Sequence, residues 1–257
     1  MQFFNESKVP VTEISGLLER VKSFVPSGYR FDSIYLRGQA DESWGLRPTI
    51  GRLLRYAGLM TDGYRGDREQ YLLDRFRRYI HPHVSREVGG RELLFLARHH
   101  GLPVRLLDWT SNPLVALYYA CVGDEYLNTP GAVWVTRRCQ HQHDVFYKFY
   151  EASEEPLKLR GVKIVYAPYV SPRIPAQSCN FTIQDDPAKD LDTYDPTNYQ
   201  QDEFDLELVE KWIVPPDRKC QLLHDLERCA INERSLFPDL DGIARGLVRS
   251  EVIRTGK

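Results

Sequence analysis

Apolar residues recur at helical spacing through much of the first half of the chain, whereas strand-like segments gather in the second half. Residues 14–25 and 72–80 carry apolar positions three and four apart, which predicts two amphipathic helices. Alternation predicts an early strand at residues 30–37, and later strands are predicted at residues 132–136, 162–166, 173–183 and 206–214. Since strands and helices do not alternate regularly, we expect an α+β fold with an antiparallel or mixed sheet flanked by helices.

The stretch from residue 99 to residue 120 joins two apolar helical segments through a short polar connection. The first segment is expected to stop at Gly101. The second begins with Asn112 as its N-cap and Pro113 as its first helical residue. Residues 104–111 are therefore a short segment held at both ends, too apolar in between for a free loop.

Four charged or titratable residues lie in this stretch: His99, His100, Arg105 and Asp108. The dipole at the end of the first helix favours a protonated or hydrogen-bond-donating imidazole at both histidines. Arg105 and Asp108 have two interpretations. They either pair with each other inside the core, or they face a ligand.

Arg37 ends the early strand and is followed by Gly38. A glycine at that position either makes a turn or lets backbone or ligand approach closely. Arg37 is accordingly either solvated or aimed at a ligand. The basic segment that follows would line an anion site or be solvated; its arginines are Arg47, Arg52 and Arg55.

Composition narrows the possible partners. With 34 basic and 36 acidic residues, the net charge is −2, so no global charge favours nucleic acid or an anionic membrane. A local exception is the helix face carrying Arg75, Arg77 and Arg78. Neither a signal peptide nor a membrane span is indicated. Together with five widely spaced cysteines, which predict reduced thiols, these features favour a cytoplasmic protein without membrane contact.

Motif searches exclude several chemistries. No nucleophile elbow, P-loop or dinucleotide-binding glycine motif occurs. Two His-x-His pairs, at residues 81/83 and 141/143, lack an evident third ligand, so no metal site is predicted. Cys179 is either a nucleophile or a packing residue. The acidic segment 184–203 is expected to be a mobile loop.

What remains is a set of polar residues at strand ends and turns, which suits a phosphate-bearing small molecule. Tyr118 or Trp109 would stack on a ring of that molecule. The polar set comprises Arg37, His99, His100, Arg105, Asp108, Thr110 and Gln177.

Several blocks together resemble the FRG domain family over residues 30–248: residues 35–39, the His-His-Gly-Leu-Pro-Val-Arg-Leu-Leu-Asp-Trp-Thr block through residue 120, and residues 173–183 and 236–242. The chain departs from that family at four positions, carrying Leu36, Arg98, Val104 and Cys179 where phenylalanine, glutamine, threonine and glycine are usual. The resemblance implies a fold rather than a reaction. It divides the chain into an N-terminal helical segment, 1–29, and a single FRG-like domain, 30–257.

A looser resemblance is to ADP-ribosyltransferases, with Arg37 on the first strand, residues 110–119 as the hydroxyl-led helix, and residues 173–183 as the third strand. Gln177 stands there instead of a catalytic glutamate. The resemblance implies that Arg37 grips NAD and that Tyr118 or Tyr119 stacks on nicotinamide. The catalytic acid would come from elsewhere, with Asp108, Glu233 and Asp239 as candidates; Asp239 and Asp241 have an alternative role as caps of the last helix.

The resulting prediction is an NAD-dependent ADP-ribosyltransferase acting on protein or nucleic acid, as a toxin or phage-defence effector with an antitoxin or regulatory partner. Its cofactor-binding residues would be Arg37, Gly38, Arg105, Thr110, Tyr118 and Gln177, and its catalytic residues Arg37, His99, His100 and Asp108. One alternative is a non-catalytic module that binds a nucleotide or nucleic acid. Another is a hydrolase or nuclease using the two histidines and Asp108. All three require the early arginine and the later His–Asp turn to line a single pocket.

Overall fold

The computed structural model describes residues 3–7, 9–25, 34–56, 67–139, 159–166, 171–200 and 203–255. Its strands are β1 (Phe4–Ser7), β2 (Ile34–Gln39), β3 (Leu106–Thr110), β4 (Gly131–Arg138), β5 (Val162–Val165), β6 (Cys179–Gln184) and β7 (Leu206–Val214). Its helices are α1 (Ile14–Phe24), α2 (Thr49–Tyr56), α3 (Asp67–Ile80), α4 (Gly90–His99), α5 (Pro113–Cys121), α6 (Arg173–Ala176), α7 (Pro216–Arg228), α8 (Glu233–Leu236) and α9 (Leu240–Thr255).

In the described part of the chain, the strands form one sheet of seven in the order β1-β7-β4-β2-β3-β6-β5. β1 runs parallel to β7, and every other neighbouring pair is antiparallel. Helices flank this sheet, so the predicted α+β fold with a mixed, mostly antiparallel sheet is confirmed. Within the described residues, no helix has both the length and the apolar character needed to cross a membrane.

The sheet is weakest where β2 meets β3, because these two strands pair at a single position, Leu36 with Thr110. β2 pairs along its whole length with β4, and β3 does the same with β6. The seven strands therefore form two firmly paired groups that separate beside residues 37 and 108. This gap in the ladder is where the candidate site lies.

Apolar side chains pack on both faces of the sheet. Alternate residues of β2 face opposite sides, so that Leu36 contacts the layer of α1, α5 and α7, and Tyr35 contacts the other layer. A third apolar cluster joins α3 and α4 to β3, β5 and β6. α4 and α5 are thus fixed on either side of the gap between β2 and β3.

The local signals around the central stretch are confirmed. α4 ends at His99, and Gly101 adopts a positive φ of 82° just beyond it. At the start of α5, the Asn112 side chain accepts a hydrogen bond from the amide of Leu114 at 3.0 Å. The strand between these two helix ends, β3, carries Asp108 and Thr110.

The expected strand over residues 173–183 is wrong in its first half. Residues 173–176 form the short helix α6, and β6 begins only at Cys179. Pro172 and Pro175 are compatible with a first helical turn, where no amide hydrogen is needed, and Ser178 then reverses the chain with a φ of 48°. Gln177 consequently lies in a turn rather than on a strand.

The segment 184–203, expected to be a mobile loop, is instead packed in its described part. Leu191 and Tyr194 are buried, and two short 3-10 helices are formed at Leu191–Thr193 and Pro196–Asn198. The Tyr194 hydroxyl donates to Asp185 Oδ1 at 2.9 Å. A few aromatic and aliphatic residues therefore anchor this segment to the protein, although its acidic composition predicted a solvated loop.

The N-terminal segment contributes to the same sheet. β1 pairs with β7, and Leu17 of α1 packs in the cluster with α5. This segment therefore contains a strand in addition to the expected helix. The predicted domain boundary, between residues 29 and 30, lies outside the described residues.

Candidate functional site

A half-open cavity of about 410 Å³ lies over the gap between β2 and β3 and is lined by residues of α4, α5, α6 and the start of β6. Its volume is within the range of small-molecule sites, about 300–1,000 Å³. Among the residues lining it are Arg37, Gly38, His99, Asp108, Thr110 and Gln177. The hypothesis that the early arginine and the later His–Asp turn share one pocket is therefore confirmed.

Asp108 accepts hydrogen bonds from two arginines at the cavity wall. Arg98 Nε donates to Asp108 Oδ1 at 3.0 Å, and its Nη2 donates to Oδ2, so the pair is bidentate. Arg37 Nη1 lies 3.6 Å from Asp108 Oδ2. Burial opposes the negative charge, but Arg98 and Arg37 outweigh burial and hold the pKa of Asp108 below its usual range. Asp108 is thus a carboxylate at neutral pH and cannot supply a proton as a general acid there.

Arg37 fills the gap between the strands. Its Nη1 donates to the backbone carbonyl oxygen of Asp108 at 2.8 Å, in place of a ladder bond from β2. Its Nε is buried and has no hydrogen-bond partner in the described protein. Burial, the largest effect, lowers the pKa of Arg37 to about 10, so the guanidinium remains charged at neutral pH. A buried cation with a free donor atom provides a binding position for an anion.

Positive charge exceeds negative charge on the cavity wall. Among the described residues, Arg37, Arg98 and Arg173 line it together with one carboxylate, Asp108, while Asp239 pairs with Arg173 from outside the lining. Arg52, one of the arginines predicted to line an anion site, is close enough to lower the pKa of Arg37 further. Arg47 is instead held by Asp190 at 2.6 Å, and the Arg55 side chain lies outside the described residues.

Thr110 and Gln177 line the cavity but also hold its rim together. Thr110 Oγ1 donates to the Gln177 carbonyl oxygen at 2.7 Å and accepts from the Asn112 amide at 3.0 Å. Gln177 Nε2 donates to the Leu236 carbonyl oxygen at 2.9 Å. The side-chain oxygen of Gln177 lies 3.6 Å from Cys179 Sγ.

Burial raises the pKa of the Cys179 thiol to about 12, which argues against a thiolate nucleophile at neutral pH.

Two aromatic rings and an arginine form another part of the cavity wall. Tyr119 and Phe237 meet edge to face, with ring centroids 6.4 Å apart. The Arg173 guanidinium lies 5.2 Å from the Phe237 centroid, and its Nε donates to Asp239 Oδ2 at 2.6 Å. The cavity therefore offers aromatic ring surface as well as guanidinium groups.

The prediction for Arg105 is wrong. It lies outside the cavity, is 1% exposed, and donates from its Nε to Glu69 Oε2 at 2.7 Å. The expected pair with Asp108 does not form, because Glu69 holds Arg105 just before β3 begins. Asp108 faces Arg98 instead. Arg105 thus ties α3 to the start of β3 and takes no part in the site.

The placement of Tyr118 and His100 also differs from expectation. Tyr118 is 3% exposed and points away from the cavity, into the cluster beside Glu233, whereas its neighbour Tyr119 lines the cavity. His100 is exposed and contacts Phe76 on α3, with ring centroids 6.4 Å apart. Successive helical residues point about 100° apart, so only one member of each pair reaches the cavity. Trp109 also lines it, but its indole Nε1 donates to Thr182 at 2.9 Å.

The remaining candidate acids are occupied elsewhere. Asp239 Oδ1 accepts from the Gly242 amide at 2.8 Å, so the expected capping of the last helix is confirmed for this residue. Glu233 is buried and bound by Arg249 Nε at 2.5 Å. No glutamate is among the described residues that line the cavity.

His99 is an uncharged imidazole at neutral pH rather than the protonated one allowed by the helix-end argument. Burial chiefly, followed by His100 and Arg173, lowers its pKa below the ordinary 6.5. The unfolded chain therefore binds this proton more strongly, and stability falls as the pH drops through that value. We expect His99→Asn to lose less stability than the wild type between about pH 7.5 and about pH 5.5. Urea unfolding at both pH values measures the difference, and equal losses would contradict it.

Sequence reasoning missed three wall residues as members of the site: Arg98, Arg173 and Phe237. Arg98 precedes His99 by one position and follows Phe95 by three, so it shares the cavity-facing side of α4. Its departure from the usual FRG residue was the available signal. Arg173 and Phe237 are brought in by α6 and the turn after α8, which no local pattern indicated.

No group of three metal-ligating side chains is found within the described ranges. His81 and His83 lie in a 3-10 helix rather than on a strand. His141 and His143 are outside the described residues. The five cysteines form no disulfide.

The fold and the site define an α+β protein with a small-molecule-sized cavity of excess positive charge at a gap in its sheet. Residues 32–128 match the family model of the FRG domain. The matched stretch contains Arg37, Arg98, His99 and Asp108. The match supports the FRG resemblance over these residues. Comparisons with curated proteins and with solved structures give no match. The looser resemblance to ADP-ribosyltransferases gains no support from them.

Proposed function

We propose that the cavity binds a phosphate-bearing small molecule of the nucleotide type. The observation that carries this proposal is Arg37, a buried guanidinium whose Nε has no hydrogen-bond partner in the described protein. Arg98 and Arg37 share Asp108, which is the one carboxylate among the described residues of the wall, so their positive charge is not fully balanced. Arginine geometry suits the oxygens of a phosphate group.

The aromatic part of the cavity wall supports the nucleotide part of the proposal. Tyr119 and Phe237 present apolar ring surface to the cavity. A planar base stacks favourably on such rings, and the cavity volume of about 410 Å³ suits a mononucleotide-sized group. In this arrangement, phosphate oxygens lie toward Arg37 and the base lies toward Tyr119.

Isothermal titration with ADP, NAD, ADP-ribose and adenosine tests the proposal. We expect Arg37→Ala to weaken ADP binding by about 10- to 100-fold, since a hydrogen bond to a charged group contributes about 1.5–3 kcal/mol. Adenosine, which lacks phosphate, should bind the wild type and Arg37→Ala equally weakly. Arg86→Ala is the matched control, because this arginine is 65% exposed and does not line the cavity.

Unchanged ADP affinity in Arg37→Ala would overturn the proposal, as would adenosine binding as tightly as ADP. Circular dichroism first shows whether this variant folds. If it does not, Arg173→Gln, at another lining arginine that is 32% exposed, replaces it in the same comparison.

ADP-ribosyl transfer from NAD is a second candidate function. It is favoured by the cavity bringing together Arg37, Thr110 and Gln177, the positions matched to the transferase motifs. The nearest acid is Asp108, which would stabilise an oxocarbenium-like centre only after release from Arg98. Labelled NAD, incubated with protein or nucleic-acid acceptors in the same assay series, separates transfer from simple binding. A role as toxin or phage-defence effector, with an antitoxin or regulatory partner, would follow from transfer and not from binding alone.

A further inference from the structure

The outward face of α3 combines arginines with exposed aromatic rings. Its residues are Arg68, Tyr71, Arg75, Arg78 and Tyr79, which recur at helical spacing. We call this set the α3 face. The opposite side of the helix is buried, with Leu73 and Phe76 in the cluster shared with α4. The α3 face therefore points into solvent, away from the protein interior.

The two tyrosines are unusually exposed for rings of their size, at 57% for Tyr71 and 70% for Tyr79. Eight residues of helix separate them, a distance of about 12 Å along the axis. Arg75 lies midway, with its guanidinium 5.6 Å from the Tyr71 centroid. The rings thus flank a cation on one line of the helix surface.

The arginines of the α3 face are not engaged in salt bridges. In the part of the chain that the structure describes, no salt bridge is found for Arg68, Arg75 or Arg78. Arg77, which lies to one side of this line, does pair with Glu87. The exposed carboxylate of Asp74 on the same helix accepts from Gln70 Nε2 at 2.8 Å, so three cations stand against one exposed acid within three helical turns.

We propose that the α3 face binds single-stranded nucleic acid. Phosphates would lie against the three arginines, and unpaired bases would stack on Tyr71 and Tyr79. Single-strand binders combine a basic track with aromatic side chains in this way, because every base offers a ring face whatever its sequence. A duplex buries its base faces, so it would be held only by electrostatic attraction to the arginines. An acidic peptide would be attracted in the same way, but its binding would not require the tyrosine rings.

Fluorescence anisotropy with a short labelled oligouridine tests this proposal on the whole chain. Replacing Arg68, Arg75 and Arg78 by glutamine should reduce the slope of log affinity against log salt by about 2, since each phosphate contact to a single strand contributes about 0.7. Tyr71→Ala and Tyr79→Ala should each weaken binding by about 10-fold at fixed salt. Tyr71→Phe and Tyr79→Phe, which keep the rings, should bind as the wild type does.

The matched control replaces three exposed arginines elsewhere, Arg86, Arg218 and Arg228, by glutamine. This variant has the same net charge as the triple variant on α3 and should keep the wild-type slope. Tyrosine variants that bind like the wild type, or a duplex that binds as tightly as the single strand, would overturn the proposal. Arg37→Ala should retain oligouridine binding, so failure here is separable from failure of the cavity proposal.

Discussion

Replacing Glu69 by alanine is expected to lower the free energy of unfolding by about 3–5 kcal/mol. The Glu69 side chain is 0% exposed, and its two oxygens accept from the backbone amide and the Nε of Arg105, each at 2.7 Å. Removing the carboxylate takes from the Arg105 guanidinium, 1% exposed, the anionic oxygen that accepts from its Nε. The cost is large because the charge of this guanidinium is buried and loses its nearest counter-charge. Urea unfolding of the variant and the wild type measures it.

Glu87→Ala provides the comparison. Glu87 also pairs with an arginine, Arg77, but it is 80% exposed, and a surface ion pair contributes less than about 1 kcal/mol. The double variant Glu69→Leu/Arg105→Met removes both buried charges and should recover much of the loss. Equal destabilisation by Glu69→Ala and Glu87→Ala would show that the buried pair does not carry the energy assigned to it.

Local chemistry made the elements around the cavity predictable. Where a residue acts on its immediate neighbours, its effect on the backbone can be predicted from the sequence alone. Asn112 caps α5 by accepting from an amide two residues away, and Gly101 ends α4 because a glycine readily adopts a positive φ. The alternation that predicts a strand at residues 30–37, part of which lies in β2, has the same local origin. For this reason the helix–strand–helix unit carrying Asp108 could be predicted before its surroundings.

Pairing between distant residues could not be predicted in this way. Glu69 and Arg105 are 36 positions apart. From the sequence alone, each is compatible with a solvated side chain or with a ligand contact. Asp108 was compatible with several arginines until the fold placed Arg105 elsewhere and brought Arg98 to it. Gln177 was assigned to a strand because the composition around it is β-like, whereas the backbone of Ser178 reverses there. The early arginine and the His–Asp turn do share a pocket, but two of the three arginines that line it, Arg98 and Arg173, were not predicted.

Gly38 illustrates why the site lies at the gap in the sheet. A Cβ atom on this residue would stand 1.9 Å from the Ala116 carbonyl oxygen and 2.6 Å from the Ala120 amide nitrogen, both in the backbone of α5. The glycine thus lets α5 approach β2 closely, which is the backbone alternative considered for it. Tyr119, on the same helix, is thereby brought to the cavity wall beside Gly38, where a Cβ on the glycine would lie 2.8 Å from the Tyr119 Cβ. A single small residue therefore sets how closely α5 packs on β2 at the cavity.

Gly38→Ala is expected to reduce the free energy of unfolding by about 3 kcal/mol, because α5 must move away from the sheet to admit one methyl group. For a chain of this size the melting temperature should fall on the order of 10 °C, measurable by calorimetry. Gly16→Ala is the control, since nothing lies within 4 Å of a Cβ on Gly16 in α1. It changes the unfolded chain in the same way and should be neutral or stabilising by up to about 1 kcal/mol. A Gly38→Ala variant as stable as Gly16→Ala would mean that close packing of α5 on β2 does not define this wall. In that event, the glycine would be required for ligand approach alone, and only ADP binding would suffer.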